Sequence, residues 1–154
     1  MRYLGNKSKL LAFIENIIEK HNIEGDSFAD LFAGTCSVGD FFKDKYQIIA
    51  NDYMYFSKII SDAKILNTTT PSFVKFKEKY KTTPFEYLNS KEYFAKSNYF
   101  VLNHYSPKGN RMYFNESNAI KIDGMRLDIE DFYKEEYINY KEYAFLLASL
   151  LGSV

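Results

Sequence analysis

The chain has 154 residues, 46% of them hydrophobic, and its 20 basic and 20 acidic side chains cancel. This suits one folded domain with a real core, and it excludes a disordered chain or one drawn to nucleic acid by overall charge. The single cysteine, Cys36, excludes an internal disulfide and fits a reducing, cytoplasmic setting, while the polar Gly5–Lys9 segment and the lack of a long apolar run argue against a signal peptide or a membrane span.

Leu10, Phe13, Ile14, Ile17 and Ile18 recur at helical spacing, with Asn6 or Ser8 as candidate caps. Glu24-Gly25-Asp26 reads as a turn, Phe28 to Phe32 as a buried strand, Ser37 to Asp44 as a short helix, and Gln47 to Asn51 as a second strand. Met54 to Leu66 is again periodic. Helix–strand–helix–strand–helix order predicts an α/β layer with parallel strands. After Asn67-Thr-Thr-Thr-Pro71 the chain turns rich in Lys, Tyr, Phe and Glu. Phe73 to Lys81 interleaves aromatics with lysines. It would hold phosphates and stack bases, or form an amphipathic helix with a solvated lysine face, and the second reading is favoured. Asn98 to Tyr105 is aromatic and less clearly helical, Ser106 to Asn110 is a loop, and Asn115–Phe132 and Tyr140–Leu151 read as amphipathic helices. The apolar face of the last helix needs a partner, in this domain or in sequence beyond it.

Phe28-Ala-Asp-Leu-Phe-Ala-Gly-Thr-Cys-Ser-Val-Gly39 carries the strongest chemical signal. A strand runs into a turn of small residues and then a helix, and an acid, Asp52, follows the second strand. Parallel strands place the Gly34 turn and Asp52 at one carboxyl edge. Small residues let backbone N–H groups approach a nucleotide-like ligand, and the acid can take its ribose hydroxyls. The alternative for Asp52 is a plain turn residue. No Cys/His cluster, Ser/His/Asp set or Gly-Lys-Ser phosphate loop is present, and His21 and His104 lack metal-ligand spacing.

Three segments in register resemble the adenine-N6-specific DNA methyltransferases, the branch that includes Dam-type enzymes and many restriction–modification methylases. They are Arg2-Tyr-Leu-Gly-Asn-Lys7, Phe28-Ala-Asp-Leu-Phe-Ala-Gly-Thr35 and Asn51-Asp52-Tyr53. Beyond residue 55 the likeness is looser: Asn98-Tyr-Phe, Asn110-Arg-Met-Tyr-Phe-Asn115 and the helix with Ile122-Asp123 and Arg126 resemble the insert before the family's catalytic strand. The resemblance implies an incomplete Rossmann-like sheet, with residues 1–70 as the cofactor-binding part and 71–154 as a mostly helical, target-recognising insert. It implies S-adenosylmethionine as cofactor and double-stranded DNA with a flipped adenine as partner. By it, Tyr3 covers the cofactor's adenine, or is a core tyrosine; Lys7 contacts the cofactor; Phe32, Ala33, Gly34 and Thr35 form the turn beneath its methionine. Asp30 receives the ammonium, or is a turn-bonding acid. Lys108 and Arg111 are the insert's candidates for touching DNA.

The chain departs from the family at two points. Cys36 stands where glycine is usual. A side chain in a left-handed conformation costs roughly 1–2 kcal/mol, so Cys36 is expected to weaken cofactor binding. The catalytic Asp-Pro-Pro-Tyr tetrapeptide is absent, for Pro71, Pro84 and Pro107 are never adjacent. No catalytic residue is therefore assigned, and the chain reads as an amino-terminal portion, truncated or split, that is inactive alone and completed by a fragment bearing the motif. Two other readings are a non-catalytic cofactor- or partner-binding module and a nicotinamide-dependent dehydrogenase. The missing Gly-x-Gly-x-x-Gly argues against the dehydrogenase.

Overall fold

A computed structural model of the chain describes residues 7–153. A 3-10 turn at Lys7–Leu10 leads into α1 (Leu11–Lys20), then β1 (Ser27–Asp30), α2 (Ser37–Phe42), β2 (Gln47–Ala50) and α3 (Tyr55–Ile65). The strands pair in parallel, Ser27 opposite Gln47 and Asp30 opposite Ala50. A parallel pair needs a crossover, and α2 supplies it, packing on both strands. Phe42 of α2 is buried and stacks on Phe28 of β1 with ring centroids 5.0 Å apart. β1 stops before its apolar run does, at Asp30, and β2 ends at Ala50. At Leu31 and Phe32 the backbone turns, and its carbonyls are taken by the Asn51 amide and the Lys7 ammonium instead of a neighbouring strand.

The rest is helical: α4 (Val74–Tyr80), α5 (Pro84–Ser90), α6 (Phe100–Tyr105), a 3-10 turn at Pro107–Gly109, α7 (Glu116–Lys134) and α8 (Tyr140–Ser153). The helix α5 is an addition to the elements expected from the sequence. Thr83 caps it, accepting the Glu86 N–H, while the Glu86 carboxylate accepts the Thr83 N–H, with Pro84 in the first turn. In α4, Phe76 is buried and Lys75, Lys77 and Lys79 face water, which is the amphipathic reading of that segment.

The apolar face of α8 finds its partner within the chain, against α3 and α7. Ile59 of α3 belongs to the same buried cluster as Phe73, Phe76, Leu88, Ile129, Phe132, Ile138, Tyr143 and Leu146, so the main core spans both sides of residue 70. Phe76 and Phe132 pack edge to face at 4.8 Å, an arrangement that aromatic quadrupoles favour. A smaller cluster, Tyr99, Leu102 and Ala119, fixes α6 on α7. The fold is thus mixed α/β, mostly helical, with a two-stranded parallel sheet.

The sheet is thinly covered. Among the described residues no third strand pairs with β1 or β2. Phe13, Leu31, Phe41 and Ile49 around it are exposed. Parallel strands are ordinarily buried on both faces, and a free strand edge invites pairing.

Candidate cofactor-binding site

Where β1 ends, Ala33 to Cys36 forms a tight turn, the Cys36 N–H reaching the Ala33 carbonyl at 2.7 Å. It is tied to the second strand by the Ala33 N–H on the Asn51 carbonyl at 2.9 Å. Gly34 has φ 54°, a left-handed conformation that costs glycine nothing. Its N–H points at Asp52, whose Oδ2 accepts it at 2.8 Å, and Oδ1 of the same carboxylate accepts the Met54 N–H at 3.0 Å. The turn and the acid expected to meet do meet, at the carboxyl edge of the parallel pair. The two backbone bonds, Met54 first and Gly34 second, hold the Asp52 carboxyl below its usual range, so it is ionised at neutral pH. A carboxylate has about four lone-pair sites, and the Gly34 and Met54 N–H groups take two of them, while the Ser57 hydroxyl and the Tyr53 N–H also act on the carboxyl.

Phe32 is 80% exposed and Tyr53 is 98% exposed, so two aromatic rings stand free beside this edge. Tyr53 ends the Asn51-Asp52-Tyr53 motif, and the sequence alone assigns it no role. The available signal was an aromatic next to an acid at the end of a strand, a position where burial cannot explain the ring. A cleft of about 500 Å³ borders Asp52, lined by Ile48 to Asp52 and by residues of α3 that include Ser61 and Ile65.

Lys7 and Asp30 also come together. The Lys7 ammonium lies 3.0 and 3.2 Å from the two Asp30 oxygens and 2.6 Å from the Phe32 carbonyl. Asp30 Oδ1 in addition accepts the Phe32 N–H, at 3.3 Å, as turn acids do. The partner of Asp30 here is therefore Lys7. The Thr35 carbonyl accepts from Lys64 at 2.8 Å, and the Thr35 hydroxyl shares a hydrogen bond with Ser37. Tyr3 lies outside the described residues.

Cys36 has φ 55° and ψ 34°, the left-handed conformation that makes glycine the easier residue there. Its thiol is fully buried, and burial raises its pKa, so it is a packed thiol and not a nucleophile. Lys108 and Arg111 are exposed in the 3-10 turn after α6 and just beyond it, in the helical half of the chain. Among the described residues no group of His, Cys, Asp and Glu could hold a metal ion, and no helix is long and apolar enough to cross a membrane.

A parallel βαβ unit with a small-residue turn and an ionised acid at one edge places the chain in the class of parallel α/β proteins, in which the carboxyl edge of the strands is the usual place for a ligand. Within that class the chain belongs to the D12 class N6 adenine-specific DNA methyltransferases, whose family pattern matches residues 3–154. It is 58% identical to modification methylase LlaI of Lactococcus lactis subsp. lactis, over all of this chain and 25% of that protein. It is 40% identical to type II methyltransferase M.FokI of Planomicrobium okeanokoites, over all of this chain and 24% of that protein. It is 38% identical to type II methyltransferase M.CviAII of Paramecium bursaria Chlorella virus 1, over 98% of this chain and 44% of that protein. The chain thus spans a quarter to under half the length of these relatives. No solved structure matches it.

Proposed function

We propose that this chain forms the cofactor pocket and part of the DNA-recognising region of a cytoplasmic restriction–modification methyltransferase acting on adenine N6 with S-adenosylmethionine. The observation that carries the reading is the Asp52 carboxylate, ionised and hydrogen-bonded to the Gly34 N–H where the small-residue turn meets the end of the second strand. Bound there, the cofactor supplies a methyl group on a sulfonium, transferred by direct displacement to the adenine amino nitrogen. Asp52 would take the ribose hydroxyls. Ala33, Gly34 and Thr35 would underlie the methionine, Lys7 and Asp30 would meet its carboxylate and ammonium, and the rings of Phe32, Tyr53 and Tyr3 would border the adenosine. Residues 1–70 are then the cofactor part of a Rossmann-like sheet and 71–154 the insert, with Lys108 and Arg111 toward double-stranded DNA.

No residue of this chain is assigned to hold the target amino group, so that step falls to a segment bearing the Asp-Pro-Pro-Tyr motif. The exposed apolar residues and free strand edges around β1 and β2 are the features such a segment would cover. Two measurements test this. Calorimetric titration of S-adenosylmethionine should detect binding to the wild-type chain and clearly weaker binding to Asp52→Asn; absence of binding to the wild type overturns the cofactor assignment. Methyl incorporation into unmethylated DNA should require mixing the chain with the separately produced segment. Methylation by the chain alone would overturn the need for completion.

A further inference from the structure

Four aromatic rings form a connected, solvent-facing series on α6 and the turn after it. Phe100 lies 4.9 Å from His104 and 5.8 Å from Tyr105, and Tyr105 lies 5.7 Å from Tyr113. Phe100 is 55%, Tyr105 41% and Tyr113 71% exposed. Neighbouring side chains on α6 do the opposite: Tyr99 and Leu102 are buried against Ala119 of α7. Core packing therefore accounts for one side of this helix and leaves the other ringed with aromatics that nothing in the fold uses.

The mounting is rigid. The buried Asp123 carboxylate of α7 accepts the Phe100 N–H at 3.1 Å and the Leu102 N–H at 2.9 Å, pinning the first turn of α6. At the other end, Ser106 Oγ donates to the Leu102 carbonyl at 2.6 Å, and the Phe114 N–H donates to the Tyr105 carbonyl at 3.0 Å, holding Tyr113 beside Tyr105. Gly109 admits no side chain, since a Cβ there would lie 2.2 Å from the Asn103 carbonyl oxygen. A backbone fixed this way carries its rings at set positions, so less of the chain has to be ordered when a ligand settles on them.

Charge identifies the ligand. From Tyr93 to Asn115 the sequence contains Lys96, Lys108 and Arg111 and no aspartate or glutamate, although the whole chain is neutral. Asp123, packed beneath the first turn of α6, is buried and spent on two backbone amides. Exposed rings interleaved with cations fit stacked bases and their phosphates. A paired duplex hides base faces inside its own stack, whereas an unpaired strand presents them.

We infer that the Phe100–His104–Tyr105–Tyr113 surface, flanked by Lys108 and Arg111, is a stacking platform for unpaired nucleotides. It deepens the reading above, in which DNA is the substrate, and rests on that reading for its biological use. The platform itself binds without cofactor. Fluorescence anisotropy with a labelled oligothymidine, and with a hairpin duplex of equal length, tests it on the full chain. The single strand should bind more tightly. Tyr113→Ala should weaken that binding on the order of ten-fold, as loss of one base stack does, while Tyr113→Phe retains it. Arg111→Ala should flatten the salt dependence by about 0.7 in logarithmic slope, and Lys77→Ala on α4 should change nothing. No single-strand binding, or binding indifferent to Tyr113→Ala, overturns the inference. So does concentration-dependent self-association that Tyr113→Ala abolishes, which would make the surface a protein interface. Cofactor calorimetry on the same samples separates the failures: if S-adenosylmethionine binds and oligothymidine does not, only the platform falls.

Discussion

Replacing Asp52 by asparagine tests the site at its centre. The wild-type carboxylate accepts two backbone N–H groups, from Gly34 and Met54. An amide of the same shape offers one oxygen and one NH2, so whichever way it turns, one backbone donor faces another donor. Because the carboxylate is partly exposed, water replaces much of the lost bond, and the expected cost is about 1 kcal/mol of stability. For a chain of this size that lowers the melting temperature by roughly 2–4 °C. The effect on ligand is larger. Two ribose hydroxyls donating to a carboxylate make charge-assisted bonds, each about 1 kcal/mol stronger than to a neutral acceptor. Losing that advantage twice weakens cofactor binding about 30-fold. Calorimetry with S-adenosylmethionine reads the affinity and a thermal melt reads the stability, with Asp131→Asn on the exposed face of α7 as the charge control. Unchanged affinity in Asp52→Asn would refute the ribose assignment. An unchanged melt would mean that the acid does not hold the turn.

Cys36→Gly relieves a left-handed residue but removes a fully buried thiol and loosens the unfolded chain, so a net loss of about 1 kcal/mol is expected by chemical denaturation. Because the left-handed backbone is already in place and the thiol is buried, calorimetry should find the cofactor affinity within about two-fold of wild type, which moves the cost of this substitution from binding to folding. In α7, a Cβ on Gly124 would sit 2.1 Å from the Tyr93 ring, so Gly124→Ala should destabilise by at least about 2 kcal/mol, whereas Gly152→Ala in α8 meets nothing within 4 Å and should gain up to about 1 kcal/mol. Acid should act through Asp52. Its folded pKa is depressed, so its contribution is complete above the unfolded value near 4 and is lost as pH falls through the lower folded value. The gap in melting temperature between wild type and Asp52→Asn should therefore be constant at neutral pH and close below about pH 4, and a gap independent of pH would show that Asp52 is not ionised in the fold.

Local pattern carried the first half of the chain well. Ile14, Ile17 and Ile18 recur at a helical period and give α1, and the run from Gln47 gives β2 within a residue of its end. The Gly34 turn and Asp52 were legible because parallel strands leave few places for their carboxyl ends to go. The pairing of Lys7 with Asp30 was not legible, because residues 23 apart in sequence meet only once β1 and the first helix have docked. The helix α5 was legible in principle, since Thr83-Pro84-Phe85-Glu86 is a capping box with proline in the first turn, but its four-residue signal is swamped by the aromatic run around it.

The aromatic second half resists sequence reading for a different reason. Phe76 and Phe100 are the same residue type in similar lysine-and-tyrosine surroundings, yet one is wholly buried and the other exposed. Amphipathic periodicity fixes which residues share a helix face but not which face the rest of the chain covers. That choice is made by distant partners: Phe132 of α7 and Tyr87 of α5 close over Phe76, whereas α6 is turned by Asp123 and Tyr99 so that Phe100 faces out. The Leu102 N–H and the Asp123 carboxylate it meets are both buried, and leaving that donor unpaired would cost about 1–3 kcal/mol. Asp123→Asn separates orientation from mere stability. If Asp123 serves to aim the outer rings, that variant should lose oligothymidine binding along with the protection of the Phe100 and Leu102 amides from hydrogen exchange, while the Asp52 site still takes its cofactor. Retained nucleotide binding with those amides unprotected would show that the rings need no aiming.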